Sequence, residues 1–119
     1  MRTLVICASL VLALLTGPAW GEDYLSANFM MPGCRSAEND PTNPLSALCM
    51  GTVVGVSFGA SLRSIELSVP PSFCIPNEVT SFQIVRVVVQ YIDQRPQRMH
   101  ERFTILAYEA MKAAGPCKP

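Results

Sequence analysis

The sequence predicts an all-α fold, a small bundle of about four helices stapled by two disulfides. Three observations carry that reading. Thr80-Ser-Phe-Gln83 has the form of a capping box, in which the Thr80 hydroxyl takes the Gln83 amide and the Gln83 side chain reaches back to the Thr80 amide. After Asn43-Pro44, apolar residues recur at helical spacing through Leu45, Leu48, Cys49, Val53, Val56 and Ala60. Four cysteines, Cys34, Cys49, Cys74 and Cys117, follow a leader-like N-terminus. An even cysteine count in a small exported domain reads as paired bridges.

The leader comes first. Met1-Arg2 is a short positive region, Leu4 to Leu15 an apolar one, and Ala19-Trp-Gly21 places small residues where a signal peptidase reads. Cleavage after Gly21 is expected, so residues 1–21 are a signal peptide and residues 22–119 the mature domain. An uncleaved anchor is the alternative, but a dozen apolar residues fall short of the roughly 20 that a membrane helix needs. Cys7 leaves with the leader. Removing Arg2 from the nine basic groups leaves eight against nine acidic ones, a net charge near −1. No basic field remains to hold nucleic acid or an anionic membrane.

Glu22 to Met31 reads as a first short helix with Leu25 and Phe29 facing inward, ended by Pro32-Gly33. Arg35 to Thr42 is polar and reads as a surface loop. The next helix starts with Asn43 as N-cap and Pro44 at the first helical position. Gly51, Gly55 and Gly59 make a stripe along it. Its apolar stretch reads as shorter than 18 residues, so close packing by another helix in the core is the expected use of the stripe rather than membrane pairing. Each glycine lowers helix propensity by about 1 kcal/mol relative to alanine, which such packing would offset. Arg63 to Asn77, with Pro70, Pro71 and Pro76, reads as an irregular connection of about fifteen residues, a length that is often functional.

The capped helix should run to Asp93 or Gln94, with Val79 and Ile84 as a hydrophobic staple. A buried strand over Ile84 to Ile92 is the rival, because β-branched residues dominate there. A strand has no use for a cap or a staple, so helix is expected. Pro96 should open the last helix, with Met99, Phe103, Leu106, Ala110 and Ala113 as its apolar stripe and Gly115-Pro116 as its stop. At 1.5 Å per residue the two helices are roughly 21 and 27 Å long. Folded antiparallel, the second overshoots the first by about one turn, which the Cys74–Thr80 segment can span. Four cysteines allow three connectivities, and this geometry favours Cys74–Cys117, leaving Cys34–Cys49. The chain-entropy model gives ~4 and ~3 kcal/mol for these two closures. Zinc is the competing use of the cysteines, but they have no C-x-x-C pair and lie at wide, uneven gaps.

No catalytic set, cofactor site or metal site is expected. His100 is the single histidine, so any triad would depend on it. Ser57 and Ser61 lack a nucleophile-elbow context. Asp93 and Glu101 are weighed as a carboxylate pair for acid–base work and read as solvated helix-end charges instead. Arg95, Arg98 and Arg102 are weighed as an anion grip and likewise read as a solvated face.

The ordered set Met30-Met-Pro-Gly-Cys34, Leu48-Cys-Met-Gly-Thr-Val-Val-Gly-Val56, Phe73-Cys-Ile-Pro-Asn-Glu-Val-Thr80, Gln83-Ile-Val-Arg-Val-Val-Val-Gln-Tyr-Ile92, Arg95-Pro-Gln-Arg-Met-His100 and Gly115-Pro-Cys117 resembles the Rap/Tai-type immunity protein family. The resemblance spans nearly all of the mature chain with its four cysteines. It implies an exported, all-helical, disulfide-bonded periplasmic protein, often a homodimer, that neutralises a peptidoglycan amidase delivered by a type VI secretion system. Binding rather than catalysis is the implied mode of action. Effector-binding residues are not implied, because they lie on variable loops while the matched positions are structural. Two functions are therefore expected as rivals. One is an inhibitor that presents Arg63–Asn77 to an amidase cleft. The other is a periplasmic chaperone or stress protein of the small helical disulfide-bonded kind, which needs exposed apolar surface or an acid-driven dissociation.

Overall fold

In the computed structural model, residues 25–119 are described, and the expected signal peptide lies outside them. Four α-helices follow in order: α1 (Ala27–Ser36), α2 (Pro44–Leu67), α3 (Ser81–Asp93) and α4 (Phe103–Ala114). A 3₁₀ turn over Pro96–Arg98 separates α3 from α4. Among the described residues there is no strand, only an isolated antiparallel bridge between Ser26 and Arg102.

The bundle closes as two pairs. Cys34–Cys49 ties α1 to the first third of α2, and Cys74–Cys117 ties the chain before α3 to the chain after α4. Both bridges match the expected connectivity. The core between the pairs is built from Met31, Val53, Val88, Ile92, Phe103 and Leu106, all fully buried.

The start of α3 follows its sequence closely. The Thr80 amide donates to Gln83 Oε1 at 2.7 Å, and the Gln83 amide donates to Thr80 Oγ1 at 3.3 Å. Val85, Val88 and Ile92 then face the core at helical spacing, which settles the strand alternative.

Four expectations need correction. The first helix does not end at Pro32-Gly33: α1 begins at Ala27, capped by Ser26, and runs through both residues to Ser36. An interior proline costs about 3 kcal/mol in an isolated helix. Here tertiary contacts outweigh it. The Ala27 and Asn28 amides donate to the Glu101 and Met99 carbonyls at 3.0 and 2.8 Å, and the Cys34 bridge holds the far end. The inward residues are Ala27, Met30, Met31 and Cys34, while Leu25 and Phe29 face outward.

Second, α2 is 24 residues long and reaches Leu67, so the connection after it begins at Ser68. By length and composition it could cross a membrane, with a mean hydropathy of 1.7 over a window that is 17% buried. Only Ser46, Cys49 and Val53 are buried along it. Third, Gly51, Gly55 and Gly59 do not face the core, for a Cβ on any of them would meet nothing within 4 Å. Close approach occurs instead at Gly33, where a Cβ would lie 2.3 Å from the Leu45 carbonyl oxygen.

Fourth, the last helix opens at Phe103 rather than Pro96. The Pro96–Arg102 segment supplies the carbonyls that take the α1 amides, so it cannot also be regular helix. The buried stripe of α4 is Phe103, Leu106, Ala107, Ala110 and Met111, with Ala113 exposed and Met99 outside the helix. At roughly 18 Å, α4 nearly matches α3, so no overshoot brings Cys117 to Cys74. The Cys74 amide reaches back to the Gly115 carbonyl at 2.7 Å instead.

Candidate partner-binding surfaces

The connection from Ser68 to Thr80 is irregular but pinned. Ser68 caps α2 in the left-handed region at φ 51°, and the Val69 amide donates to the Ser64 carbonyl. The Ser64 hydroxyl returns a 2.6 Å bond to the Val69 carbonyl. Phe73 is buried edge-on against Tyr108, with ring centroids 5.8 Å apart. Next to it, Cys74 is held by its disulfide and by the Gly115 carbonyl. A Cβ at Gly115 would lie 2.9 Å from the Cys74 carbonyl oxygen, so glycine permits that approach. The loop thus shows solvent two exposed arcs, Pro70–Pro71 and Pro76–Glu78, on either side of one anchor. Beside the second arc, Ile75, Val79, Ile84, Val87 and Met111 line an apolar notch of about 120 Å³.

The structure does not gather all the loop residues the sequence singled out. Asn77 is exposed on the second arc, whereas Arg63 and Glu66 lie on the last two turns of α2. None of the three joins an ion pair among the described residues.

The charged residues around Pro96 form a closed network rather than an open anion grip. Arg98 holds Glu101 through Nε and Nη2, each at 2.7 Å, and Glu109 through Nη1 at 2.6 Å. Tyr91 donates its hydroxyl to Glu109 at 3.1 Å. Arg95 lies 3.6 Å above the Tyr91 ring and donates to the Tyr91 carbonyl. The Arg98 guanidinium holds both carboxyl groups below their ordinary pKa, and they raise its own in return. Arg102 and His100 remain exposed. Asp93 and Glu101 do not pair with each other, because Asp93 holds Arg35 at 2.5 Å. Ser61 turns its hydroxyl to the Ser57 carbonyl on the same helix.

Between α1 and α3 runs a groove of about 500 Å³ floored by Ala37, Val85 and Val89. Two exposed ion pairs bridge its walls, Arg35–Asp93 and Glu38–Arg86. Such exposed pairs add little stability.

Among the described residues, exposed apolar side chains gather on α2, whose Leu48 and glycine stripe were expected to face the core. On α2, Phe58 is 63% and Ile65 76% exposed, with Leu48, Val54 and Leu62 each more than two-fifths exposed. The run from Pro44 to Leu62 contains no charge, so its apolar spacing alone gave no sign of which side faces the core.

No curated protein and no solved structure gives a match to the chain. One family model does, over residues 21–117, nearly the whole of the domain with its four cysteines, and on that match the chain belongs to the Rap1a immunity proteins.

Proposed function

We propose that residues 22–119, released from their signal peptide, form a periplasmic immunity protein. It binds a peptidoglycan amidase delivered by a type VI secretion system and occludes the amidase cleft, acting as a homodimer and with no turnover of its own. Family membership across the domain carries this reading, and it supports binding of a cognate effector by a generally non-catalytic protein. Disulfides fit an oxidising compartment such as the periplasm. The pinned Ser68–Thr80 loop favours an inserting element: held at Phe73 and Cys74, it has less freedom to lose on binding.

The test is co-expression. Cells that make a neighbouring amidase in the periplasm should survive only when this protein is exported beside it. Substitutions at Pro71 and Asn77, with Arg63 and Glu66 on the adjoining helix end, should weaken protection. If no amidase from the source genome binds the protein and these substitutions change nothing, the inhibitor reading fails.

A periplasmic chaperone is the second reading, and the uncovered apolar side of α2 favours it, since client capture needs such surface. Suppression of client aggregation at acid pH is its assay.

A further inference from the structure

The two disulfides sit in different surroundings. Cys34 and Cys49 are 3% and 0% exposed and pack within the core. Cys74 is exposed and Cys117 half-buried, so their bridge lies at the surface, beside the loop. Two openings reach Cys74. One is the apolar notch next to the second arc, and the other is a cleft of about 490 Å³ lined by Ile75, Pro76, Pro116 and Lys118. The two sulfurs are not equally open. Cys117 Sγ lies 3.7 Å from the Pro71 carbonyl oxygen, whereas Cys74 borders both openings. Lys118 follows Cys117 and lines the same cleft, which puts a cation where a thiolate would form.

We propose that Cys74–Cys117 is a thiol–disulfide exchange site, opened by the dithiol of a thioredoxin-type oxidoreductase, and that opening it releases the Ser68–Thr80 loop. The attacking thiolate bonds to Cys74 Sγ as the Cys74–Cys117 bond breaks, and that bond's electron pair leaves on Cys117. Lys118 stabilises the departing thiolate until it takes up a proton, and a leaving thiolate of lower pKa departs faster. The second thiol of the oxidoreductase then loses its proton and attacks the oxidoreductase sulfur of the mixed disulfide. Cys74 leaves as a thiolate and is protonated. Two electrons and two protons have passed from the dithiol to the bridge. Cys34–Cys49 offers such a partner no approach, so α1 and α2 stay tied. The loop loses its covalent pin and keeps only Phe73 against Tyr108 and the Cys74 amide on the Gly115 carbonyl.

The consequence, a closed form that binds and an opened form that binds weakly, rests on the loop's part in the functional reading; the exchange itself needs no amidase. The test takes the purified, oxidised mature protein. A thioredoxin-type oxidoreductase whose second active-site cysteine is serine should be trapped on Cys74, read by non-reduced peptide mapping. After incubation with the intact dithiol and then iodoacetamide, Cys74 and Cys117 should be alkylated at least about tenfold faster than Cys34 and Cys49. Chymotrypsin should cut after Phe73 in the opened form and not in the closed one, while far-UV circular dichroism stays helical. Absence of trapping, trapping on Cys117, equal opening of the two bridges, or an opened form that resists cleavage at Phe73 would each overturn the proposal. Amidase binding is scored apart. If the closed form binds no amidase, the functional reading fails and the exchange site stands on the thiol measurements; if both forms bind alike, the loop is not switched.

Discussion

Gly33 and Gly59 show how little a glycine in a sequence says about its use. A methyl group at Gly33 would drive into the Leu45 carbonyl, a backbone atom that cannot swing aside. Gly33→Ala should therefore cost about 2 kcal/mol or more in urea unfolding. Gly59 faces open space, and Gly59→Ala should stabilise by about 1 kcal/mol through helix propensity alone. The carboxylates on Arg98 make a second residue-scale prediction. Arg98 depresses Glu101 and Glu109 below the ordinary 4.5, so their contribution to stability is complete above that pH. It is lost as pH falls through the lower folded-state values, where the folded protein must take up protons against the ion pair. The urea midpoint should fall as pH is lowered from about 5 to about 3, and Glu109→Gln should flatten that slope.

Among the elements, legibility followed the kind of signal. The Thr80 cap was readable because both of its partners lie within four residues, and the structure places both bonds. Thr80→Ala should cost about 1 kcal/mol, read from the denaturation midpoint. Pro32-Gly33 and Pro96 misled because proline and glycine rules describe an isolated segment. At both places the deciding bonds run between the Met99–Arg102 segment and the start of α1, more than 70 residues apart in sequence. Nothing local announces such a contact. The Cys74–Cys117 pair was found although the helix lengths that argued for it were wrong, since adjacency of the two ends needs only that α3 and α4 fold back on each other. Replacing both cysteines with alanine should cost about 4 kcal/mol on the chain-entropy model. Hydrogen exchange should speed up across residues 68–80 in that variant while α1 stays protected by its own bridge.

For the whole molecule, fold class and both disulfides were legible, and so was the family, because ordered motifs survive errors in helix boundaries. The orientation of α2 was not. Amphipathic contrast is what tells a core side from a wet side, and a helix apolar on every side carries none. The candidate binding surface was legible in part: the proline-rich loop was singled out, but its first five residues belong to α2. No sequence signal distinguishes the end of a long apolar helix from the loop that follows it when Ser, Leu and Ile continue the pattern.

If the chain is exported as proposed, the same helix has a consequence for its passage out of the cytoplasm. On export, a 24-residue helix whose most apolar window has a mean hydropathy of 1.7 must pass through the translocation channel without being released sideways into lipid. Gly51, Gly55 and Gly59 hold its apolar character down without placing a charge on the face. Leucine at all three would add roughly 1–2 kcal/mol of preference for the bilayer and turn a passenger into a stop-transfer signal. The triple variant Gly51→Leu, Gly55→Leu, Gly59→Leu should stay in the membrane pellet after carbonate extraction, while the unaltered chain is recovered in the soluble fraction. The glycines would then answer to the secretion machinery as much as to folding.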